Sequence, residues 1–149
     1  MGASGPAGGL QVRGVLETCL YADDLAAAER FYTSVIGLAA FSRLDGRHIF
    51  FRCGRGMLLV FNPERTGTER MTVGNVGIPL HGARGQGHVA FSIPEGDLPS
   101  WREHLTRLAV PVEAEVIWPG GGRSMYLRDP AGNSVELATP RIWGLAEET

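Results

Sequence analysis

Gly122-Arg123-Ser124-Met125-Tyr126-Leu127-Arg128-Asp129-Pro130-Ala131-Gly132-Asn133-Ser134-Val135-Glu136-Leu137 reads as strand, turn, strand. Asp-Pro-Ala-Gly-Asn is turn chemistry: Pro fixes φ, Gly tolerates φ > 0, and Asp and Asn bond nearby backbone groups. The flanking runs carry β-type side chains in alternation. In the second strand Val135 and Leu137 share one face, and Ser134, Glu136 and Ala138 share the other. With the apolar pair against a packed layer, Glu136 stands on a face of mainly small residues. A carboxylate there is either solvated or bound to something positive.

Working outward, the same order of elements occurs twice. Val15 to Tyr21 alternates as a strand, with Leu16, Thr18 and Leu20 opposite Glu17, Cys19 and Tyr21. Asp23-Asp24 offers a helix N-cap, Leu25, Ala28, Phe31 and Val35 follow at helical spacing, and Gly37 is the stop. Three strands follow, at Leu38–Arg43, His48–Cys53 and Met57–Asn62, separated by Asp45-Gly46 and Gly54–Gly56 turns. After a polar stretch the pattern restarts. Gly87 to Ile93 alternates, with Val89, Phe91 and Ile93 opposite His88, Ala90 and Ser92. Asp97 and Pro99 open a helix whose Leu98, Trp101, Leu105 and Leu108 form the buried stripe. Strands near Val112–Ile117, Ser124–Arg128 and Ser134–Ala138 complete a second βαβββ unit.

The expected fold class is therefore α+β, two paired βαβββ modules forming a curved mixed sheet with helices outside. The boundaries are a tail at 1–10, modules at 11–62 and 86–139, a connector at 63–85 and a second tail at 140–149. The connector is longer than most loops, which marks it as functional or mobile. Ile142, Trp143 and Leu145 are expected to pack back on the body or on a second subunit. The inner, concave face then collects Glu17, His88 and Glu136.

Bulk properties narrow the classes. At 149 residues, 44% hydrophobic and net charge −2, the chain is an ordinary globular domain with no electrostatic reason to bind nucleic acid or anionic membrane. No apolar run approaches the ~18 residues of a membrane span. Met1 to Gly9 has no signal-peptide pattern, so a floppy tail and a cytoplasmic location are expected. Pro6 in the Ser/Thr position argues against myristoylation of Gly2. Cys19 and Cys53 lack CxxC spacing and are expected as reduced, core-filling thiols. All 14 basic Lys/Arg residues are Arg, which excludes Lys Schiff-base chemistry and a Walker-type loop. Those arginines suit carboxylate or phosphate on a small-molecule substrate.

The ordered set Glu17 to Tyr32 with Gly37-Leu38, then Gly87-His88-Val-Ala-Phe91, then Tyr126-Leu-Arg-Asp129-Pro130-Ala-Gly132-Asn133-Ser-Val-Glu136-Leu137, resembles the vicinal oxygen chelate superfamily, the glyoxalase/bleomycin-resistance/dioxygenase group. The resemblance implies a divalent metal (Zn, Ni, Co, Mn or Fe) in the cavity, held at Glu17, His88 and Glu136. It also implies a homodimer. Glu17 departs from the commoner His-His-Glu set, and two carboxylates with one imidazole make a harder site. Three protein ligands leave positions for two vicinal substrate oxygens, and Glu17 and Glu136 are the candidate catalytic carboxylates. Glyoxalase I has a further carboxylate on the last strand of its first module, which aligns here with Leu58.

The expected activity is a metal-dependent lyase, isomerase or transferase. The alternatives are an Fe(II) ring-cleaving dioxygenase, disfavoured by the single His among the ligands, and a drug-binding protein of the bleomycin-resistance type, which needs no metal shell. Arg123, Tyr126, Arg52, His48 and His81 are the candidate substrate-binding residues. Arg47, His48 and Arg52 share a hairpin that can form a cavity wall, and His81 can cap the mouth and shuttle protons. Phe50, Phe51, Phe91 and Trp101 are read as core.

Overall fold

In the computed structural model, which describes residues 9–148, the alternating stretch before Asp23 is strand β1 (Glu17–Tyr21). The Asp24 carboxylate then caps helix α1 (Leu25–Ser34) by accepting from the Ala27 amide at 2.9 Å. The helix buries Ala28, Phe31 and Tyr32 and ends ahead of Gly37, whose φ of +86° suits glycine. Strands β2 (Ala39–Leu44), β3 (His48–Cys53) and β4 (Gly56–Phe61) follow. The sheet order is β1-β4-β3-β2, with β1 and β4 parallel and the other pairs antiparallel.

The second module repeats this order with β7 (His88–Ser92), α3 (Leu98–Arg107), β8 (Ala114–Ile117), β9 (Arg123–Arg128) and β10 (Ser134–Ala138). Its sheet is β7-β10-β9-β8, again with the first pair parallel. Each module thus forms its own four-stranded sheet rather than half of one hydrogen-bonded sheet. What joins them is one continuous apolar core, in which Leu20, Tyr32, Phe51 and Leu58 meet Phe91, Leu105, Met125 and Leu137. On α3, Leu98 and Leu105 are buried, but Leu108 is 40% exposed because it lies at the C-cap, past the buried stripe.

The Asp-Pro-Ala-Gly-Asn turn is the second tie between modules. Asp129 accepts from the backbone amides of Ala131 and Asn133 and also from the buried Tyr32 hydroxyl at 2.7 Å. The Asn133 side chain accepts from the Gly87 amide and donates to the Tyr21 carbonyl. A turn legible from its residue types therefore fixes where the end of β1 meets the start of β7.

The connector is folded rather than irregular. Asn62 caps a short helix α2 (Pro63–Thr68), and β5 (Thr72–Val73) pairs with β6 (Val76–Gly77). Arg47, which is buried, donates to the carbonyls of Arg65 and Glu69 at the end of α2. Arg47 is therefore a helix cap and not part of a cavity wall. Residues 1–8 lie outside the described residues, and with them nearly all of the expected floppy tail, including Gly2 and Pro6. In the C-terminal segment Ile142 packs beside Gly122, whereas Trp143 and Leu145 are exposed. No helix among the described residues is long and apolar enough to cross a membrane.

Candidate metal centre

Strand register decides which side chains share the open face. On β10, Val135 and Leu137 are fully buried in the core, so Glu136 points the other way. Its cross-strand neighbours are Ala90 on β7 and Tyr126 on β9. His88 opens β7 on the same face, paired with Ser134.

His88 and Glu136 come together. The imidazole Nε2 lies 3.4 Å from Glu136 Oε2. His88 Nδ1 is 3.0 Å from the Ser134 carbonyl, which can only accept, so Nδ1 carries the proton. In the neutral ring Nε2 then presents a lone pair to a carboxylate oxygen, and two acceptors face each other. Glu136 is only 5% exposed, and its Oε1 is buried without any hydrogen-bond partner. A protonated His88 satisfies Oε2 alone, so the buried Oε1, which has no partner, is left for a cation. The donor set, one imidazole nitrogen fixed by a backbone carbonyl and one carboxylate, suits a borderline or hard divalent metal.

Glu17 does not complete this pair within one chain. Among the described residues no three His, Cys, Asp or Glu side chains form a single metal shell. The reason is topological. Asn133 binds both the Tyr21 carbonyl and the Gly87 amide, so the end of β1 meets the start of β7. Glu17 begins β1, four residues before Tyr21, which is about 13 Å of strand. It is exposed and lines a cleft of about 740 Å³ that also includes Ser92, Trp101 and Trp143 but neither His88 nor Glu136. The sequence leaves open whether one chain or two close the cavity, and one chain alone does not bring the three residues together.

The paired registers also correct the position equivalent to Glu136. Glu17 pairs with Met57 as His88 pairs with Ser134, so two residues further on Leu59, not Leu58, matches Glu136. Leu58 faces the core. The open face of the first module thus holds Glu17, Cys19 and Tyr21 with Met57, Leu59 and Phe61. Cys19 is exposed rather than core-filling.

The remaining candidates separate. Tyr126 lies on the site face, its ring 6.5 Å from that of His88 and nearly parallel to it. Burial, and after it the neighbouring Glu136 carboxylate, push its phenol up from the ordinary value of 10. Arg123 sits one residue before Ser124 and pairs with Ile117, so alternation puts it on the opposite face from Glu136. It is not a clamp on this site. Arg52 shares the face of Glu17 through Met57, but its guanidinium lies 4.2 Å over the Phe41 ring. His48 is buried, stacked on Phe50 with ring centroids 4.0 Å apart, and its Nδ1 has no partner. Burial, and then Arg47, push its imidazole down. His81 reaches over from the connector to the Tyr21 hydroxyl, 2.7 Å from Nδ1. Phe51 and Phe91 are core as expected, while Phe50 and Trp101 are only half-buried. Sequence reading passed over Trp118 and Ser124: the indole Nε1 donates to the buried Ser124 hydroxyl at 2.9 Å, on the face of Tyr126 and Glu136. Ser124's place in the same alternation as Glu136 was the available signal.

Comparison with known proteins agrees with the geometry. A lactoylglutathione lyase from Agrobacterium tumefaciens is 44% identical and superposes with a TM-score of 0.83, over 91% of this chain and 100% of that one. A glyoxalase/bleomycin resistance protein/dioxygenase from Nocardioides is 20% identical, with a TM-score of 0.66 over 94% of this chain and 91% of that one. The fosfomycin resistance protein FosX from Mesorhizobium loti is 21% identical, with a TM-score of 0.59 over 87% of this chain and 93% of that one. These last two share the fold. No curated protein sequence matches significantly. The profile of the Glyoxalase/Bleomycin resistance protein/Dioxygenase superfamily matches residues 14–137, and the chain belongs to that superfamily.

Proposed function

We propose that the chain is a metal-dependent, glyoxalase-like lyase or isomerase whose site is shared between two copies, His88 and Glu136 from one and Glu17 from the other. The observation that carries the reading is the buried Glu136 carboxylate with an unpartnered oxygen facing the lone pair of His88. Similarity to the lactoylglutathione lyase makes the hemithioacetal of a thiol and a 2-oxoaldehyde the first substrate to try. Sharing between copies is supported by the separation of Glu17 from the pair and by uncovered apolar side chains near it. Val15, Leu16, Trp143 and Leu145 are 65 to 83% exposed around the cleft that Glu17 lines.

His88 and Glu136 would hold the metal as fixed ligands, since both are oriented by their own sheet. Glu17 would be the third. A bound divalent ion supplies Lewis acidity toward two vicinal substrate oxygens. The proton work falls to Glu17. It is exposed at the start of a strand and free to swing, whereas Glu136 is enclosed by its neighbours. Leu59, at the position equivalent to Glu136 in the first module, cannot carry a proton. In an isomerisation the Glu17 carboxylate takes the proton from the carbon bearing the substrate hydroxyl and returns it to the adjacent carbon. Leu59, with Phe50 and Phe61 beside it, gives that side of the cavity an apolar wall that excludes water.

The test follows thioester formation from glutathione and a 2-oxoaldehyde before chelation, after it, and after return of Ni²⁺, Co²⁺, Zn²⁺ or Mn²⁺. The proposal expects activity lost to chelator and restored by at least one metal, and lost in Glu17→Gln with metal still bound. Turnover that survives both chelation and Glu17→Gln would remove it.

A further inference from the structure

One aromatic ring on the open face of the second module has every polar atom engaged and still stands in the open. Trp118 is the first residue after β8. Its backbone N–H donates to the Gly122 carbonyl at 3.1 Å, and its carbonyl accepts from the Gly121 amide at 2.9 Å. Its indole Nε1 donates to Ser124 Oγ at 2.9 Å. The loop that carries it is packed against the segment after β10: a Cβ at Gly122, whose φ is +88°, would meet Ile142 Cγ2 at 2.6 Å. Trp118 is nevertheless 37% exposed. With its donors and acceptor used, what it offers is apolar ring surface already fixed in place.

Strand register shows where that ring stands. Val116 pairs with Ser124 and Ser124 with Ala138, while Tyr126 pairs with Glu136. Ser124 is thus the diagonal neighbour of Glu136, about 7–8 Å away for such a pair. Its row continues through Ala138 to Ser92, all small and none ionisable. In the first module the matching row is His48, Phe61 and Tyr21. The bulk that fills this row in one module is missing from the other, which leaves room beside Glu136, bounded by the indole over Ser124. The charged side chain that β9 contributes to this face, Arg128, stands at the other end, opposite Ser134, and is bonded to Glu113.

We propose that Trp118 is a specificity-determining residue, which stacks on the aldehyde-derived substituent of the bound substrate and selects an aromatic 2-oxoaldehyde over an alkyl one. The inference rests on the metal-centre reading above and names the substrate class for it. A substrate held through two vicinal oxygens beside Glu136 carries its substituent on a carbon next to those oxygens. A methyl group extends it by one bond of about 1.5 Å and stops short of an indole standing over the diagonal neighbour. An aryl ring crosses that gap and reaches the offset or edge-on contact that aromatic pairs prefer, with centroids about 4.5–7 Å apart. The thiol end of the substrate does not suit this row, because the carboxylates of glutathione would lose water there without gaining a partner. The bond to Ser124 holds the ring in place before binding, so less order is lost when the substrate arrives.

The test uses two vicinal-oxygen chelators that differ only in this substituent, benzohydroxamate and acetohydroxamate, titrated by calorimetry into Zn²⁺- or Ni²⁺-loaded protein. The proteins are wild type, Trp118→Leu, which keeps apolar bulk, and Ser124→Ala, which keeps the indole and removes its acceptor. Metal content and thermal stability are measured for each. The proposal expects the ratio of aryl to alkyl affinity to fall about 10-fold in Trp118→Leu and about 2-fold in Ser124→Ala, with metal content at the wild-type level. The ratio of kcat/KM for the glutathione adducts of phenylglyoxal and methylglyoxal should fall in parallel. An unchanged affinity ratio in metal-loaded Trp118→Leu overturns the role of Trp118 and leaves the metal centre standing. Should Trp118→Leu fail to fold, an unchanged ratio in Ser124→Ala overturns it instead. A wild type that binds no metal, or that binds metal and neither hydroxamate, overturns the metal-centre reading and this inference with it.

Discussion

Replacing Glu136 by Gln should make the metal-free protein more stable, although it removes a residue of the candidate site. In the native chain the Glu136 carboxylate is 5% exposed, Oε1 has no partner, and Oε2 faces a lone pair of His88 at 3.4 Å. A buried acceptor left unpaired costs about 1–3 kcal/mol. Gln removes the charge and, rotated appropriately, sets an amide N–H opposite His88 Nε2, a hydrogen bond worth about 0.5–1.5 kcal/mol. The amide oxygen that remains offsets part of that gain, so the expected net change is about 2 kcal/mol. For a chain of this size that corresponds to a rise in Tm of roughly 4–8 °C. The assay is thermal and urea unfolding in EDTA at pH 8, where a free imidazole is neutral. Adding Zn²⁺ should raise the Tm of wild type and not that of Glu136→Gln, because ligand binding stabilises only a fold that binds it. A metal-free Glu136→Gln protein less stable than metal-free wild type would show that the carboxylate is already satisfied without a cation. Glu136 would then need no metal to satisfy its buried oxygen.

Two further predictions concern the frame around the site. His48 is held below its ordinary value of 6.5 by burial first and by Arg47 second. The unfolded chain therefore binds the proton more readily, so this stabilising contribution is complete above about pH 6.5 and is lost as pH falls from there toward the depressed folded value. Stability measured by urea unfolding should accordingly drop less between pH 7.5 and 5.5 in His48→Gln than in wild type; equal drops would remove His48 as a cause of acid sensitivity. Asp129→Ala strips partners from the buried Tyr32 hydroxyl, the Asn133 amide and the Asn133 side chain, with an expected cost of about 3 kcal/mol. Tyr32→Phe removes one of those bonds and should cost about 1.5 kcal/mol, so equal costs for the two variants would contradict the network.

Local chemistry made most of the fold legible. Sequence pattern placed strands at Val15–Tyr21, which begins two residues later in the fold, and at His48–Cys53 and Ser134–Ala138, and Asp24 and Gly37 bounded the first helix. Glu136 and His88 were readable as neighbours because both follow from alternation within one module. Glu17 was readable as a residue of the open face but not as a distant one. Its separation depends on how two sheets are docked through Asn133, a tertiary fact with no local pattern. Leu58 and Leu59 are adjacent apolar residues in a continuous run, so only the strand register tells which one faces the core. Arg123 reads as standing just before the strand; it is the first residue of β9, and alternation from there puts it on the face opposite Glu136. The connector hid its helix because α2 is six residues long and its C-terminus is satisfied by Arg47, from another element.

The most direct test of the shared centre mixes two inactive chains. Glu17→Ala and Glu136→Ala proteins, each freed of metal, are combined, allowed to exchange subunits and assayed for bound Zn²⁺ or Ni²⁺ and for turnover. If Glu17 completes the centre of the other copy, the mixed dimer regains one intact site, made by Glu17 of the Glu136→Ala chain with His88 and Glu136 of the Glu17→Ala chain. Metal and turnover should then return in the mixture to a substantial fraction of wild type, although neither variant shows them alone. A mixture that exchanges subunits and yet binds no more metal than its separate components would contradict the shared centre.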